Sequence, residues 1–199
     1  MNMVKMTTYN VGSYSGAANY QVSTTSANGM LIDDNIFELI KGEHVLAQIG
    51  RYDVMEIANW FLNKSPMSHL KLQKLCYYAQ AWSYALNNRR MIDTDFQAWV
   101  HGPVSPALYE KFKGFGYDSI KIRGRYISQI ADEDEELLES VWVTYGEYTA
   151  SALEALTHRE LPWMEARVGY RPEQLCKVVI SPKTMKKYYL SIHNGEINE

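Results

Sequence analysis

His101 and His158 are the two residues of this chain best suited to proton-transfer chemistry. His101 lies near Asp93 and Asp95 in sequence, and a histidine oriented by a carboxylate has the arrangement of a general base. The nearest candidate nucleophile is Ser105, and nothing around it is typical of an oxyanion hole. We therefore favour structural roles: His101 would hold a turn to backbone groups, and His158 would satisfy the last carbonyl groups of a predicted helix.

No motif for covalent catalysis, phosphate binding or metal binding is recognisable. G-x-S-x-G, G-x-x-x-x-G-K-[ST], G-x-G-x-x-G and H-E-x-x-H are all absent from the sequence. The five histidines lack the spacing of a helical ligand pair. Cys76 and Cys176 form neither a zinc set nor a disulfide framework, and Cys76 lies on a predicted apolar stripe. We expect no cofactor, no metal and no catalytic activity.

Charged residues are unevenly distributed along the chain. Residues 51–129 hold eleven bases against six acids, whereas residues 130–199 hold seven bases against thirteen acids. We favour attraction between these two segments within one fold over an acidic partner for the basic segment. Phosphate contacts with a nucleic acid are a less favoured alternative, because no helix-turn-helix stands out. The bases concerned are Lys71, Lys74, Arg89, Arg90, Lys111, Lys113, Lys121, Arg123 and Arg125.

Length and composition are typical of one compact, soluble domain. The chain has 199 residues, 46% of them hydrophobic and 22% charged, and a formal net charge of −3 at pH 7. A chain of this length buries about 70% of its unfolded surface, so it needs neither disulfides nor a metal to be stable. No signal peptide or transmembrane segment is recognisable, so we expect a cytoplasmic protein with no membrane partner.

The first fifty residues differ in composition from the rest. Residues 1–29 are rich in Ser, Thr, Asn and Gly, which predicts a polar tail or a weak strand. Residues 30–50 have no clear period. We therefore divide the chain into an N-terminal extension of unclear fold, residues 1–50, and a domain over residues 51–199.

Apolar periodicity in the domain predicts a mainly α fold with a minor β element. Asp53 and Ser68 are suited to cap two helices, the second of which has an apolar stripe ending near Leu86. Residues on the other side of that helix are Lys71, Lys74, Tyr77, Gln80 and Tyr84. A strand at about 96–100 leads into a turn at 101–103, and a hairpin is predicted over 119–130 around Gly124. Further helices are predicted at about 106–113, 132–145, 148–158 and 182–190, with a short helical turn from Leu161.

Two neighbouring runs of sequence resemble a known family signature. They are LKLQKLCYYAQAWSYAL at residues 70–86 and DTDFQAWVHGPVSPALYEKFK at residues 93–113. Together with a later Thr-His…Pro-Trp element they resemble the Panacea domain, also called the SocA-like antitoxin domain, over about residues 52–192. The motif positions are Lys71, Leu72, Gln73, Lys74, Leu75, Tyr78, Ala79, Gln80, Trp99, Gly102, Pro103, Val104, Tyr109, His158 and Trp163.

The resemblance implies an antitoxin of a bacterial, prophage or phage toxin–antitoxin pair. Proteins with this domain commonly neutralise a toxin by binding it, and the toxins implied include alarmone-synthetase-type enzymes that modify tRNA and other translation inhibitors. Two alternatives stay open: an adaptor that delivers the toxin to a ClpXP-type protease, and a DNA-binding autoregulator. An enzyme that uses His101 or His158 is a weaker alternative, because the family has no established catalytic activity.

The partner predicted from the resemblance is therefore a cognate toxin, and a homo-oligomer is compatible with the sequence. We expect Trp99 and Pro103 to fix the strand–turn geometry, with His101 beside them. The N-terminal extension is expected to become ordered on the toxin. The toxin interface is expected to use exposed aromatic and basic side chains, namely Lys71, Lys74, Tyr77, Tyr84 and Arg89.

Overall fold

Seven helices and four short strands make up the part of the chain that the computed structural model describes, residues 50–122 and 129–196. The elements are α1 (Val54–Lys64), β1 (Met67–Ser68), α2 (His69–Asn87), β2 (Gln97–Trp99), β3 (Gly102–Val104), α3 (Pro106–Phe112), β4 (Ser119–Ile120), α4 (Asp132–Tyr145), α5 (Ala150–Thr157), α6 (Leu161–Ala166) and α7 (Pro182–His193). A 3₁₀ turn, Lys113–Phe115, follows α3. The prediction of a mainly helical fold with a minor β element is confirmed.

The helices begin at residues that satisfy their first backbone N–H groups. Asp53 and Glu56 form a capping box at α1, in which Asp53 accepts a hydrogen bond from the Met55 N–H at 2.7 Å. Four other helices, α2, α3, α5 and α7, begin after a hydroxyl side chain that accepts from their first turn. These caps are Ser68, Ser105, Thr149 and Ser181. The predicted helix starts are therefore confirmed at these positions.

Helix α2 lies at the centre of the fold and is buried on nearly all sides. It contacts α1, α3, α4, α5 and α7, and thirteen of its nineteen residues are buried. Lys74, Tyr77 and Gln80 are among them. The prediction that these three side chains lie on an outer face of the helix is wrong, because neighbouring helices cover both sides of α2.

Aromatic side chains fill the space between α2, α4 and α7. Tyr78 stacks on Tyr145 with ring centroids 3.9 Å apart. Tyr78 and Tyr189 donate hydrogen bonds of 3.1 and 2.8 Å to the two oxygens of Glu160, a buried carboxylate that precedes α6. Trp82 donates to the Tyr145 hydroxyl at 3.1 Å. The tyrosines therefore supply both core volume and the hydrogen bonds that a buried carboxylate requires.

The strands form two small antiparallel pairs. β1 pairs with β4, so that Met67 lies opposite Ile120. Residues 119–120 therefore pair with β1, which directly precedes α2, whereas a hairpin over 119–130 was predicted. Gly124 lies in residues 123–128, outside the described part of the chain. β2 pairs with β3, with Trp99 opposite Gly102. Gly102 and Pro103, predicted as part of a turn, thus belong to a strand.

A C-terminal segment, residues 178–180, lies along the free edge of β2. The Ala98 N–H donates to the Val178 carbonyl at 2.9 Å, and the Ile180 N–H donates to the Phe96 carbonyl at 2.8 Å. Val179 lies opposite Gln97 between these two hydrogen bonds. This segment immediately precedes α7, so it joins the β2–β3 hairpin to the C-terminal helix.

Ion pairs join the basic middle of the chain to the start of α4. Asp134 is buried and pairs with both Arg51 and Arg89. The same two guanidinium groups lie 2.6 and 3.1 Å from Glu133. The predicted attraction between the basic and acidic segments is confirmed for these residues.

None of the described helices is long and apolar enough to cross a membrane. The predicted N-terminal extension, residues 1–50, falls outside the described residues apart from Gly50.

Candidate interaction surface

Two glutamines of α2 bind the main chain on either side of the β2–β3 hairpin. The Gln73 amide forms a reciprocal pair with Ser105, accepting from its N–H at 2.8 Å and donating to its carbonyl at 3.2 Å. The Gln80 side chain accepts from the Ile92 N–H at 2.7 Å. The two glutamines thus satisfy the N–H groups of Ser105 and Ile92, while the Ser105 carbonyl also accepts from the Tyr109 N–H of α3.

Lys74 lies against the hairpin and is fully buried. Its Nζ donates to the Pro103 carbonyl at 3.0 Å. Gly102 has a φ of +93°, and a Cβ there would lie 2.8 Å from both Lys74 Cε and Thr157 Oγ1. Burial lowers the pKa of Lys74 from 10.5 to about 7, although the negative charge of Glu154 acts to raise it. Gly102 is therefore required by both its backbone conformation and the closeness of Lys74.

His158 and Trp163 connect α5 and α6 to the hairpin. Their rings stack with centroids 4.1 Å apart, and Trp163 Nε1 donates to the Trp99 carbonyl at 3.0 Å. The ring of Trp99 meets that of Tyr109 edge-on at 4.9 Å. Burial lowers the pKa of His158, whose hydrogen bond goes to the backbone of Val100. The prediction that His158 satisfies the last carbonyls of its helix is therefore wrong.

His101 is exposed and pairs with a carboxylate that sequence proximity did not identify. Its Nδ1 lies 2.8 Å from Glu154 Oε1, and not in contact with backbone groups as predicted. Of the two aspartates close in sequence, Asp95 pairs with Arg90. Ser105, the candidate nucleophile, is buried and accepts from the first turn of α3 as its N-cap. The His101 ring and the Ser105 hydroxyl therefore contact different partners, Glu154 and the first turn of α3.

The five residues predicted for a toxin interface do not form one exposed surface. Lys74 and Tyr77 are fully buried, so their predicted exposure is wrong. Lys71 donates to the Gly146 carbonyl, and Arg89 pairs with acids of α4. Lys71, Tyr84 and Arg89 are partly exposed, and their contact with a toxin stays a prediction.

Part of the predicted basic face is paired with internal partners. Arg90 pairs with Asp95 and Lys113 pairs with Glu110. Arg89 contacts two acids and Lys74 is inside the fold. Arg123 and Arg125 lie outside the described residues. Lys111 and Lys121 are exposed, and nucleic-acid contact by the basic segment stays the less favoured alternative.

Exposed apolar side chains are concentrated on α6 and the segment after it. Val168 and Leu175 are 78% and 58% exposed, values far above those of core residues. We call the following set of exposed residues the docking surface: Leu161, Met164, Val168, Leu175, Val178 and Val179. Val178 and Val179 are neighbours in an extended segment, so their side chains project from its opposite faces. This surface was not predicted from the sequence, because apolar residues around a short helix are equally typical of buried positions.

The geometry of α6 explains why these side chains face outward. Pro162, Trp163 and Ala166 lie on its inner side, where Trp163 reaches the hairpin. Leu161 and Met164 are one helical turn apart on the opposite side. Apolar residues therefore occupy both sides of α6, and the sequence alone does not show which side faces the core.

Arg167 fixes the backbone of the segment that follows α6. Its Nη1 donates to the Ala98 carbonyl at 2.8 Å, and its Nη2 reaches three carbonyls at 2.9 Å each. Those three carbonyls belong to Arg171, Pro172 and Gln174. One buried guanidinium therefore binds β2 and the loop together, while Val168 and Leu175 point into solvent.

Within residues 50–122 and 129–196, no group of three or more His, Cys, Asp or Glu side chains comes close enough to hold a metal ion. Cys76 and Cys176 are buried free thiols, and burial raises the pKa of Cys76. The prediction that Cys76 is a buried apolar residue is confirmed. What the described arrangement offers is a hydrogen-bonded scaffold with one apolar surface.

Comparisons with known proteins agree on one family. A family model described as "Antitoxin SocA-like, Panacea domain" matches residues 72–164. The chain is also similar to a curated protein named Antitoxin SocA, from Caulobacter vibrioides (strain NA1000 / CB15N). The two are 32% identical over 128 residues, covering 56% of this chain and 68% of that protein. No solved structure matches the chain.

Proposed function

The chain belongs to the SocA-like Panacea antitoxin family, and we propose that it is the antitoxin of a toxin–antitoxin pair that neutralises its toxin by direct binding. The observation that carries this proposal is the similarity to Antitoxin SocA across most of that protein's length. The partner is accordingly a protein toxin. The resemblance noted in the sequence extends the expectation to tRNA-modifying synthetases and other translation inhibitors.

The roles of the motif residues support binding over catalysis. Gln73, Lys74 and Trp163 all direct their polar atoms at backbone carbonyls or N–H groups within the fold. His101 has a carboxylate partner, but the nearby Ser105 is used as a helix cap. The signature thus builds a scaffold, and recognition is left to side chains on its surface.

The surface of the molecule supports a protein partner. Interfaces are enriched in aromatic, Met and Arg side chains, and they have a more apolar centre and a polar rim. Val168, Leu175 and Met164 provide such an exposed apolar centre next to charged residues. Large exposed apolar patches on soluble proteins mark interaction sites.

Growth rescue followed by co-purification tests the proposal. Each open reading frame that flanks the gene is expressed alone and together with this protein, which carries an affinity tag. We expect one neighbour to arrest growth, growth to resume on co-expression, and the neighbour's product to co-elute in a fixed ratio. Labelled amino-acid incorporation during the arrest reports whether that product inhibits translation.

Two outcomes would contradict direct neutralisation. If no neighbour arrests growth, the antitoxin role itself fails for this chain. If growth resumes while the toxin band disappears and no complex is recovered, the protein acts as an adaptor for a protease of the ClpXP type. Rescue through a fall in toxin mRNA, measured in the same cultures, would instead identify an autoregulator.

A further inference from the structure

We propose that the toxin binds the docking surface through an extended segment with apolar side chains flanked by carboxylates, which pairs with Val179 as an added strand. The inference rests on the proposed function and names the surface that performs it. Three independent features carry it: a preformed apolar face, a free strand edge and an excess of unpaired positive charge.

The apolar face is held rigid before any partner arrives. Arg167 binds carbonyls on both sides of the loop, and the Cys176 thiol contacts the Ala166 carbonyl at 3.6 Å. Leu175 therefore projects from a backbone that is anchored at the residues next to it. A surface fixed in this way loses little conformational entropy on binding, which favours affinity.

Residues 178–180 present a free strand edge. The Val178 carbonyl and the Ile180 N–H both point at β2, so the N–H and C=O of Val179 point the opposite way. No hydrogen bond to either group occurs within the described part of the chain. Val179 is 44% exposed, so an incoming strand has access to this edge. Strand addition of this kind supplies backbone hydrogen bonds, and alternate side chains supply specificity.

Exposed bases lie on the elements that carry the apolar face. Thr184 donates to Glu165, which places the first turn of α7 beside α6, and the other exposed acid of this region, Glu173, pairs with Arg171. Within the described ranges no carboxylate pairs with four exposed bases on α7 or next in sequence to α6 and Val178. They are Arg159, Lys177, Lys183 and Lys187. Because like charges repel across an interface, this rim favours an acidic partner over a symmetric second copy of the chain.

The test measures affinity between this protein and the toxin identified by growth rescue. Val168→Asp and Leu175→Asp place a charge in the apolar face without disturbing buried groups, and each should weaken binding about tenfold or more. Val143→Asp is the matched control, because Val143 is 60% exposed on α4, away from the docking surface. That control should bind as the unaltered chain does.

A second pair of variants tests strand addition. Val179→Pro removes an N–H group that makes no hydrogen bond within the described chain, and proline is tolerated on edge strands. Val179→Ala keeps the N–H and serves as its control. We expect Val179→Pro to lose about tenfold or more in affinity relative to Val179→Ala, with both variants unfolding at similar temperatures.

The outcomes separate this inference from the function on which it rests. If the unaltered chain binds the toxin and the Asp variants bind equally well, the docking surface is wrong and the antitoxin role stands. If the unaltered chain neither rescues nor binds any neighbour's product, both proposals fall. If the purified chain is a dimer that Val168→Asp converts to a monomer, the surface serves self-association and the toxin assignment is overturned.

Discussion

Gln73 is a motif residue whose side-chain amide is used at both ends by backbone hydrogen bonds. Both ends of its amide bind the backbone of Ser105 inside the fold, at 2.8 and 3.2 Å. Gln73→Ala leaves the buried Ser105 N–H without a partner, whereas the Ser105 carbonyl still accepts from the Tyr109 N–H at 3.0 Å, so we expect the free energy of unfolding to fall by about 1–3 kcal/mol. Urea denaturation measures this loss. Asn87→Ala, at an exposed position of the same helix, should change stability by less than about 0.5 kcal/mol.

Lys74 makes the stability of the fold depend on pH. Its pKa is lowered from 10.5 in the unfolded chain to about 7 in the fold, because burial disfavours the charged form. Between these two values the unfolded chain binds more protons, so stability rises as pH increases above about 7, by at most about 1.4 kcal/mol per pH unit.

Replacing Lys74 isolates this contribution. In Lys74→Met the rise in the free energy of unfolding should be smaller than in the unaltered chain between pH 7 and about 8.5, below the range in which tyrosine ionises. An identical slope in both proteins would show that Lys74 does not lose its proton in the fold.

The effect of replacing His101 distinguishes a binding protein from an enzyme. Its side chain is 73% exposed and its only described partner is Glu154. We expect His101→Ala to rescue growth as well as the unaltered chain and to bind the toxin with unchanged affinity. A variant that still binds the toxin but no longer rescues growth would indicate a chemical role for the histidine.

At the scale of elements, Arg167 joins α6, the loop after it and β2. Lysine retains the charge but has a single ammonium group in place of the planar fork that reaches four carbonyls. Arg167→Lys should therefore lower the free energy of unfolding by about 2 kcal/mol or more. It should also speed hydrogen exchange in residues 168–177. Arg171→Lys is the control, since Arg171 is exposed and makes one long ion pair of 3.6 Å with Glu173; equal exchange in both variants would contradict this role of Arg167.

Helix positions were predictable from local sequence, whereas helix surroundings were not. Ser105–Pro106 and Ser181–Pro182 specify helix starts through a cap and a fixed φ, and both helices begin there. The burial of Lys74 depends instead on α5 and the hairpin, which are distant in sequence. The pairing of Ser119 with Ser68 likewise joins residues that are distant in sequence.

The same contrast between local sequence and the folded structure applies to the candidate site. Motif positions such as Gln73 and Gly102 were identified by resemblance, but their roles as backbone clamp and close-contact residue needed the fold. The docking surface was missed because Leu161 and Met164 are residue types that are also typical of a protein core. Only the packing of Trp163 and Ala166 on the inner side of α6 shows which face is left outside.

At the scale of the whole molecule, the two halves of the described chain are joined by charge and by the central helix. Asp134, buried on α4, binds Arg51 and Arg89, which precede it by 83 and 45 residues in the sequence. The family model matches residues 72–164, which include α2 and the hairpin, whereas four of the six docking-surface residues lie beyond that segment, namely Val168, Leu175, Val178 and Val179. A common scaffold with a separate recognition surface is consistent with antitoxins that bind different toxins.

Growth rescue in cells that lack the ClpXP-type protease tests whether this protein neutralises its toxin by holding it. The toxin identified among the neighbouring genes is expressed there with the unaltered chain and with Val143→Asp as a folded control. We expect full rescue in both cases, with the toxin recovered intact in complex with its antitoxin. Loss of rescue in these cells, with rescue retained where the protease is present, would contradict it.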